Sequence, residues 1–354
     1  MKRITKLATP PTFISYSAVG GFEERRGPLG ASFDFTDLTD RFGQRTWEMS
    51  EAEMGRVALN IALRKSSLSH EQIELLIAGD LQNQCVASSV GLDSFGIPHL
   101  GVYGACSTCT ESILLSAAMI GIGAVSRCAS VTTSHNLAAE RQFRSPVEYG
   151  AQRTPTAQWT ATAGAAFILT SDNELISRAR ERGCGHVTVE DFLIGRMVDG
   201  AITDASNMGA AMAFAAADSI ITYFRESGYK PGDFDLIVTG DLGRVGSDIL
   251  RSILSSELPS APSRHVDCGM LLYDMNTRDV HAGASGCGTS ASVLASHFLP
   301  MLERADAHNI LFLSTGALMS QSSVLQGNSI RGVAPAIHLK HSRERRADIS
   351  SIDN

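Results

Sequence analysis

The sequence predicts an α/β fold of two similar halves sharing one core, with helices and sheets in five alternating layers, and three observations carry that prediction. An apolar run, IELLIAGD from Ile73 to Asp80, returns as FDLIVTGD from Phe234 to Asp241, both closing on Gly-Asp. Each run is followed in the same order by a helical segment, a strand, a turn of small residues, a helix and a further strand. The 354 residues, 44% hydrophobic and 19% charged, suffice for one large core or two halves of one, and that composition excludes disorder. Continuous apolar runs are the mark of strands covered on both faces, as a layered α/β fold requires. The halves are expected at 1–172 and 173–354, with 142–207, less periodic and richer in Arg, Thr and Gly, as an insertion capping a site.

In chain order, a Gly- and charge-rich opening ends near Gln44, and Ser50 with Glu53 reads as a capping box that starts the first helix. Met54, Val57, Ala58, Ile61 and Ala62 recur there at helical spacing. A second box, Ser69 with Gln72, introduces the buried strand Ile73–Asp80. HLGVYGAC reads as a strand ending at Cys106; a helix follows from about Thr108 to Val125, opening on a Thr108/Glu111 box, then CASVTTSHN as a strand ending at Asn136. In the second half, the strand CGMLLYD from Cys268 leads to the turn AGASGCGTS, a helix to about Arg304 and the strand ILFLSTG.

The formal charge of -7, with 30 Lys and Arg against 37 Asp and Glu, argues against nonspecific nucleic-acid binding. One basic cluster, HSRERR from His341 to Arg346, is expected as a solvated tail, with contact to an anionic membrane surface as the alternative. MKRITKLATPPTF holds no continuous apolar stretch, so no secretory signal and a cytoplasmic start are expected. The longest charge-free apolar stretch, between Glu111 and Arg127, is short of the ~20 residues a span needs, so any membrane association is expected to be peripheral. The seven cysteines indicate neither a disulfide framework nor a zinc site, and for the pair Cys106 and Cys109 a redox role lacks a thioredoxin-like context. No metal site and no cofactor are expected.

Chemistry concentrates at Tyr103-Gly104-Ala105-Cys106-Ser107-Thr108, where a strand ends in small residues and turns at once into a helix. A thiol at a helix N-terminus feels the positive end of the dipole and nearby N–H groups, which lower its pKa and favour the thiolate of a nucleophile. A small buried cysteine packed in a crowded turn is the equal alternative.

GACST with its apolar helix resembles the nucleophile turn of the thiolase and ketoacyl synthase superfamily. VHAGASGCGTSASVL resembles that superfamily's second-half GHPxGASG turn, ILFLSTGAL stands where its CxGGG strand does, and SNMGAAMAFAAADSI is similar to the Met-Gly segment of the thiolase insertion. The resemblance implies a thiolase-like five-layered αβαβα fold. A closer resemblance is to the stage V sporulation AD family of endospore formers. It rests on GPLGASFDF, the Asn-Gln pair after AGDLQ, GACST with ESI, TSHN before AERQFR, EYG, ITD with MGAAM, TGDLGRVGS and GASGCG, which together span nearly the whole chain. That family implies binding of dipicolinic acid, pyridine-2,6-dicarboxylate, or its calcium chelate during loading of the developing spore. It also implies stage V sporulation A membrane proteins as partners, a peripheral place at the spore inner membrane and, as is usual for relatives of this fold, a homodimer.

Departures from the enzymatic pattern weigh against catalysis, which needs a base for the cysteine and a second acid or base. Val280-His281-Ala282 displaces the expected His by one position, Ser314-Thr315-Gly316 lacks the acid cysteine, and Gly-Asp-Leu-Gly-Arg around Asp241 replaces His-Gln-Ala-Asn. His135, at the end of the strand beside the nucleophile turn, is the candidate base, and with Asn136 a candidate donor pair; a strand-end cap is the plainer role. Arg141 and Arg144 could offer bidentate forks to a dicarboxylate or simply pair with Glu140 or Glu148. Asp80 and Asp241, in matching positions, could face the pocket or a chelated calcium, but two carboxylates are too few for a calcium cage, and capping of the following segment is the favoured role for Asp241. Asn83 and Gln84 follow the first strand's carboxyl end, where ligands collect, and their neutral amides suit an anionic ligand. Ser107 beside Cys106, and Ser285 and Gly286 opening the second-half helix, complete the expected wall, the latter with N–H groups for an anion or glycines for close packing. Three readings follow: a binding protein on a catalytically retired fold, an acyl-transferring or condensing enzyme using Cys106, and a docking subunit with a vestigial pocket.

Overall fold

The computed structural model describes residues 3–143 and 153–342. Its core is a repeated five-stranded sheet. The first holds β1 (Thr12–Gly20), β2 (Leu75–Gly79), β3 (His99–Gly101), β4 (Arg127–Ser134) and β5 (Ala163–Thr170) in the order β3-β2-β4-β5-β1. The second holds β6 (Val187–Leu193), β7 (Leu236–Thr239), β8 (His265–Asp267), β9 (Asn309–Leu313) and β10 (Ala336–His341) in the matching order β8-β7-β9-β10-β6. In each, the first three strands of that order run parallel and the fourth is antiparallel to its neighbours. A single pair, Thr12 with Thr188, joins the two sheets edge to edge.

Alternation within the buried strands builds the layers, because successive side chains leave a strand on opposite faces. Leu76 and Ala78 of β2, with Ala166 and Ile168 of β5, meet Met54, Ala58 and Leu59 of α1 (Trp47–Ser66) on the outside. Ile77 and Phe167 point the other way, as do Val238 and Phe312 of the second sheet, onto a shared central layer. That layer is α2 (Thr108–Gly121), through Cys109, Ile113 and Ala117, and the second-half helix that opens at Cys287, through Ala291. Ile237 and Leu311 face outward again, against α4 (Met208–Ser227) and α5 (Gly243–Glu257), which leaves α3 (Asn136–Phe143) at the rim of the core. The second-half helix is α6 (Cys287–Val293), continued by a π turn over Leu294–Phe298 and a helical turn over Leu299–Glu303, close to the expected end at Arg304.

Several boundaries differ from the expectation. α1 begins one turn before Ser50, capped by Thr46, whose hydroxyl accepts from Met49 N–H, so Ser50 with Glu53 is not its cap. The Ser69/Gln72 box forms, on a short 3₁₀ turn. β3 stops at Gly101, and a turn carries the chain to Cys106. Thr108 and Glu111 make no box: Ser107 is the N-cap and makes no side-chain cap bond. In CGMLLYD, the strand lies just before, at His265–Asp267, and Cys268–Leu271 is a helical turn. The stretch 142–207 is only partly a cap, since β5 and β6 inside it are core strands. β5, AGAAFILT, is buried along its whole length and small at its start, where a Cβ on Gly164 would sit 2.6 Å from Thr133 Cγ2.

Among the described residues no helix is long and apolar enough to cross a membrane. Of the basic cluster, only His341 belongs to the described residues, at the end of β10.

Candidate functional site

Between β3 and α2 the chain makes a 3₁₀ turn over Ala105–Ser107, with Ala105 at φ +54, in the left-handed region that residues bearing a Cβ rarely enter. The turn leaves Cys106 only 5% exposed, close enough to Asp241, just beyond β7 in the other half, for the carboxyl to bear on the thiol. Asp241, fully buried, accepts on Oδ2 from Gly286 N–H at 2.8 Å and Ser285 Oγ at 3.4 Å, and on Oδ1 from Thr315 Oγ1 at 3.0 Å. Gly286 sits at φ +98, and a Cβ there would lie 2.8 Å from Ser134 Oγ, so both backbone and space demand glycine.

Burial pushes the Asp241 carboxyl up to about 7. Burial, and next the charge of Asp241, push the Cys106 thiol well above its ordinary range. Of the two readings of this cysteine, burial favours the packed thiol over the thiolate: a helix terminus supplies roughly 0.3–1 kcal/mol, whereas desolvating an anion beside a carboxylate costs several. Cys109 is separate, buried in the central layer and pushed up to about 12 by that burial.

No histidine lines the cavity at Cys106 among the described residues. His281 turns to Asp279 at 2.8 Å. His135 is buried elsewhere, Nε2 bonded to Asp40 O at 2.8 Å and the ring 5.4 Å from that of Trp47, and burial holds it below its ordinary pKa, neutral. It is not the base of Cys106.

The cavity holds about 620 Å³. Leu81, Tyr103, Phe143, Met208 and Leu318 give it apolar walls; Thr160, Ser206, Ser285 and Ser320 bring hydroxyls; Glu140 and Arg153 are its charged groups among the described residues. Leu318 arrives on a small sheet of Val198–Asp199, Arg331–Val333 and Gly316–Leu318. Thr160 lies beside Ser285 in a two-residue parallel pairing and donates to Glu140 Oε1 at 3.3 Å. Arg153 stacks over the Trp159 ring at 4.8 Å and donates to the Asp279 carbonyl.

Of the expected wall, Cys106 and Ser285 are present, with Asp241 and Gly286 directly behind them. Asp80 is not part of it. Its carboxyl accepts from Gln82 N–H at 2.8 Å, Ser88 N–H at 2.7 Å and Ser88 Oγ at 2.6 Å, and burial raises its pKa. The equally buried Glu51 is raised by burial and by the charge of Asp80, and accepts from Gln82 Nε2 at 2.7 Å. The roles thus reverse the expectation. Asp80 is the cap, while Asp241 faces the site because Asp267 caps in its place, accepting from Leu242 and Gly243 N–H at 2.9 and 3.0 Å. Asn83 is exposed and ties the rim together: it accepts from Tyr103 OH and Gln142 Nε2, each at 3.1 Å, and its N–H donates to Gln142 Oε1 at 2.9 Å. Gln84 is exposed at φ +62, off the wall. Ser107 is buried and donates to Gly104 O and Glu111 Oε1. Asn136 donates to Thr160 O at 3.0 Å, bracing the wall from behind. Arg141 pairs with Glu48 at 3.3 Å on the surface; Arg144 and Glu148 lie outside the described residues.

Sequence reasoning missed Arg153 and Thr160 and saw Glu140 only as a partner for arginine. The Arg- and Thr-rich composition of 142–207 was the available signal. No group of three or more His, Cys, Asp or Glu among the described residues could hold a metal ion.

Comparison with known proteins places the chain. The stage V sporulation protein AD family model matches residues 1–340. Stage V sporulation protein AD of Bacillus subtilis is 37% identical over 328 residues, 92% of this chain and 94% of that protein. Among solved structures, cerulenin-bound OleA of Xanthomonas campestris aligns with a TM-score of 0.59 at 12% identity, over 94% of this chain and 98% of that one. The 3-oxoacyl-(acyl-carrier-protein) synthase III of Aquifex aeolicus aligns at 0.55 and 13%, over 93% and 99%. At such identities the likeness concerns the fold, which is thiolase-like.

Proposed function

The chain belongs to the stage V sporulation protein AD family, sporulation proteins of thiolase-like fold, and from that premise we propose that it binds dipicolinic acid, free or as its calcium chelate, and takes part in its uptake into the developing endospore. One observation carries the non-catalytic part of this reading: the Cys106 thiol is buried near a carboxyl, with no histidine on the cavity wall among the described residues. A condensing enzyme needs the thiol proton taken by a base and a second acid to finish the reaction. What remains among the described residues is a largely apolar cavity with hydroxyls, the Arg153 guanidinium and the Glu140 carboxylate, of a size for a flat aromatic acid. Calcium enters this reading as part of the cargo, held by the ligand's own carboxylates. The protein would work at the periphery of the inner spore membrane beside stage V sporulation A membrane proteins.

Calorimetric titration with dipicolinate, with and without calcium, tests the reading, with acetyl-coenzyme A as the control. Saturable dipicolinate binding that survives Cys106→Ala and is lost in Cys106→Trp is the expected result. Turnover of the thioester would replace the reading with an acyl-transfer enzyme, and silence from every ligand would leave a docking subunit.

A further inference from the structure

One wall of the cavity, lined by Leu318, Met319, Ser320 and Ser323, is built from a stretch fixed only at its two ends. Gly316–Leu318 pairs with Arg331–Val333, the Ser329 hydroxyl donates to Asp199 Oδ2 at 2.8 Å, and Ile330 N–H donates to Ile202 O at 2.7 Å. Between these ends no residue from Ser320 to Asn328 is buried, and among the described residues their hydrogen bonds stay inside the stretch. Ser320 caps the helix Gln321–Leu325 by accepting from Ser323 N–H at 3.2 Å, while Val324 N–H and Asn328 N–H return to Ser320 O and Ser323 O, each at 3.1 Å. The hydroxyls of Ser320, Ser322 and Ser323 bond to one another. Elsewhere on the wall the chain is tied down: Thr160 is joined to Ser285 by strand pairing, and Gly286 to Asp241 by a bond of 2.8 Å.

A helix of five residues is well below the ~12–15 that persist alone in water, so this one lasts only through its cap and its footing. The footing is Met319, half-buried at the edge of the second half's outer cluster. At the other end Gly327 closes the turn at φ +76, with open space where a Cβ would stand, so the backbone there is free to rotate. Leu325 is 87% exposed, more than any other large apolar side chain among the described residues, so the helix seats its leucine on nothing. Swinging the stretch outward therefore breaks no hydrogen bond to the body of the described chain and uncovers little apolar surface beyond that of Met319. Segments of that kind open locally at small cost, and a cavity that encloses its ligand needs a wall that yields.

We propose, resting on the dipicolinate reading for the identity of the ligand alone, that Ser320–Gln326 is a lid that swings between hinges at Met319 and Gly327 to pass the ligand and settles over it afterwards.

Cys106, on the cavity wall, reports on the lid without any ligand. Peptide mass spectrometry of the full chain gives its alkylation rates with bulky fluorescein maleimide and with small iodoacetamide, in the wild type and in a variant with Gln321–Gln326 replaced by Gly-Gly. The bulky-to-small rate ratio is expected to rise roughly 10-fold in the shortened variant, since a small reagent depends less on the opening. An unchanged ratio overturns the lid. Should the shortened chain fail to fold, Met319→Ala, which loosens only the footing, decides in its place: a rise of about 3-fold or more is expected, and the wild-type ratio overturns the lid. Stopped-flow release of dipicolinate carries the test to the ligand, with dissociation expected at least ~10-fold faster once the lid is shortened. Release at the wild-type rate overturns its settling over the ligand. No dipicolinate binding by the wild type removes the dipicolinate reading, while the labelling ratio still decides the lid.

Discussion

Asp241→Asn removes the carboxyl that faces Cys106 and keeps its shape, and its effect on stability can be worked from the structure. Burial lifts Asp241 from 3.8 to about 7, so in the pH range between those values the folded protein holds a proton that the unfolded chain has released. The stabilising contribution of that proton is complete below the unfolded value and is lost as pH rises through the folded one. Three units correspond to about 4 kcal/mol, of which roughly 2–3 kcal/mol is lost between pH 5 and pH 8. Asparagine does not titrate, and its amide can give an N–H to the Thr315 hydroxyl while its oxygen keeps Gly286 N–H. Other buried carboxyls, such as Asp267 at about 6, occur in both proteins and cancel in the difference. Urea unfolding from pH 5 to pH 8 should therefore show the variant gaining on the wild type by roughly 2–3 kcal/mol, with m unchanged. Parallel profiles would show that Asp241 is already ionised at pH 5 and that the thiol faces a full anion.

Three further outcomes follow from the same geometry. At pH 7.5 native Cys106 should be alkylated by iodoacetamide at least ~30-fold more slowly than in the urea-unfolded chain, because its thiolate is scarce; labelling at the unfolded rate, read by mass spectrometry, would restore an activated nucleophile. Gly286→Ala forces a Cβ toward Ser134 at φ +98 and should destabilise the fold by on the order of 2–4 kcal/mol in urea melts; a loss below ~0.5 kcal/mol contradicts the close approach of the halves there. Glu140→Gln removes a carboxylate from the cavity wall and should tighten free dipicolinate roughly 5- to 30-fold, with less gain for the calcium chelate; equal effects on both ligands would place Glu140 away from the bound anion.

The duplication was legible because strands buried on two faces write themselves as apolar runs, as IELLIAGD and FDLIVTGD do. β5 escaped for the opposite reason: where the halves crowd together its residues shrink to Ala-Gly-Ala-Ala, which carries neither alternation nor bulk and reads as loop. The Cys106 turn could be read locally, since a strand end, small residues and a helix start are neighbours in sequence. Its electrostatics could not, because the burial and the partner that decide them come from the other half. Arg153 shows the same limit. Nothing in its neighbours marks it, and only tertiary packing against Trp159 and Asp279 separates it from Arg141, whose local setting looked better.

The two halves explain why the site is single. After β2, Asp80 closes its own following turn through Gln82 and Ser88, and its charge adds to burial in raising the pKa of the neighbouring Glu51. After β7, the equivalent turn is closed by Asp267 from the end of β8, which accepts the same kind of backbone N–H bonds at Leu242 and Gly243. With Asp267 as the cap, Asp241 is left beside Cys106 of the first half, held by Gly286 N–H and Thr315 Oγ1. Burial and this neighbour both raise the pKa of the thiol, and burial raises that of the carboxyl to about 7. An Asp267→Ala variant sharpens the point. If capping has moved to Asp267, its loss should draw Asp241 back toward Leu242 and Gly243 N–H and speed Cys106 alkylation as the carboxyl leaves the thiol. Destabilisation with Cys106 as slow as before would mean that Asp241 is held at the site by Gly286 and Thr315 alone.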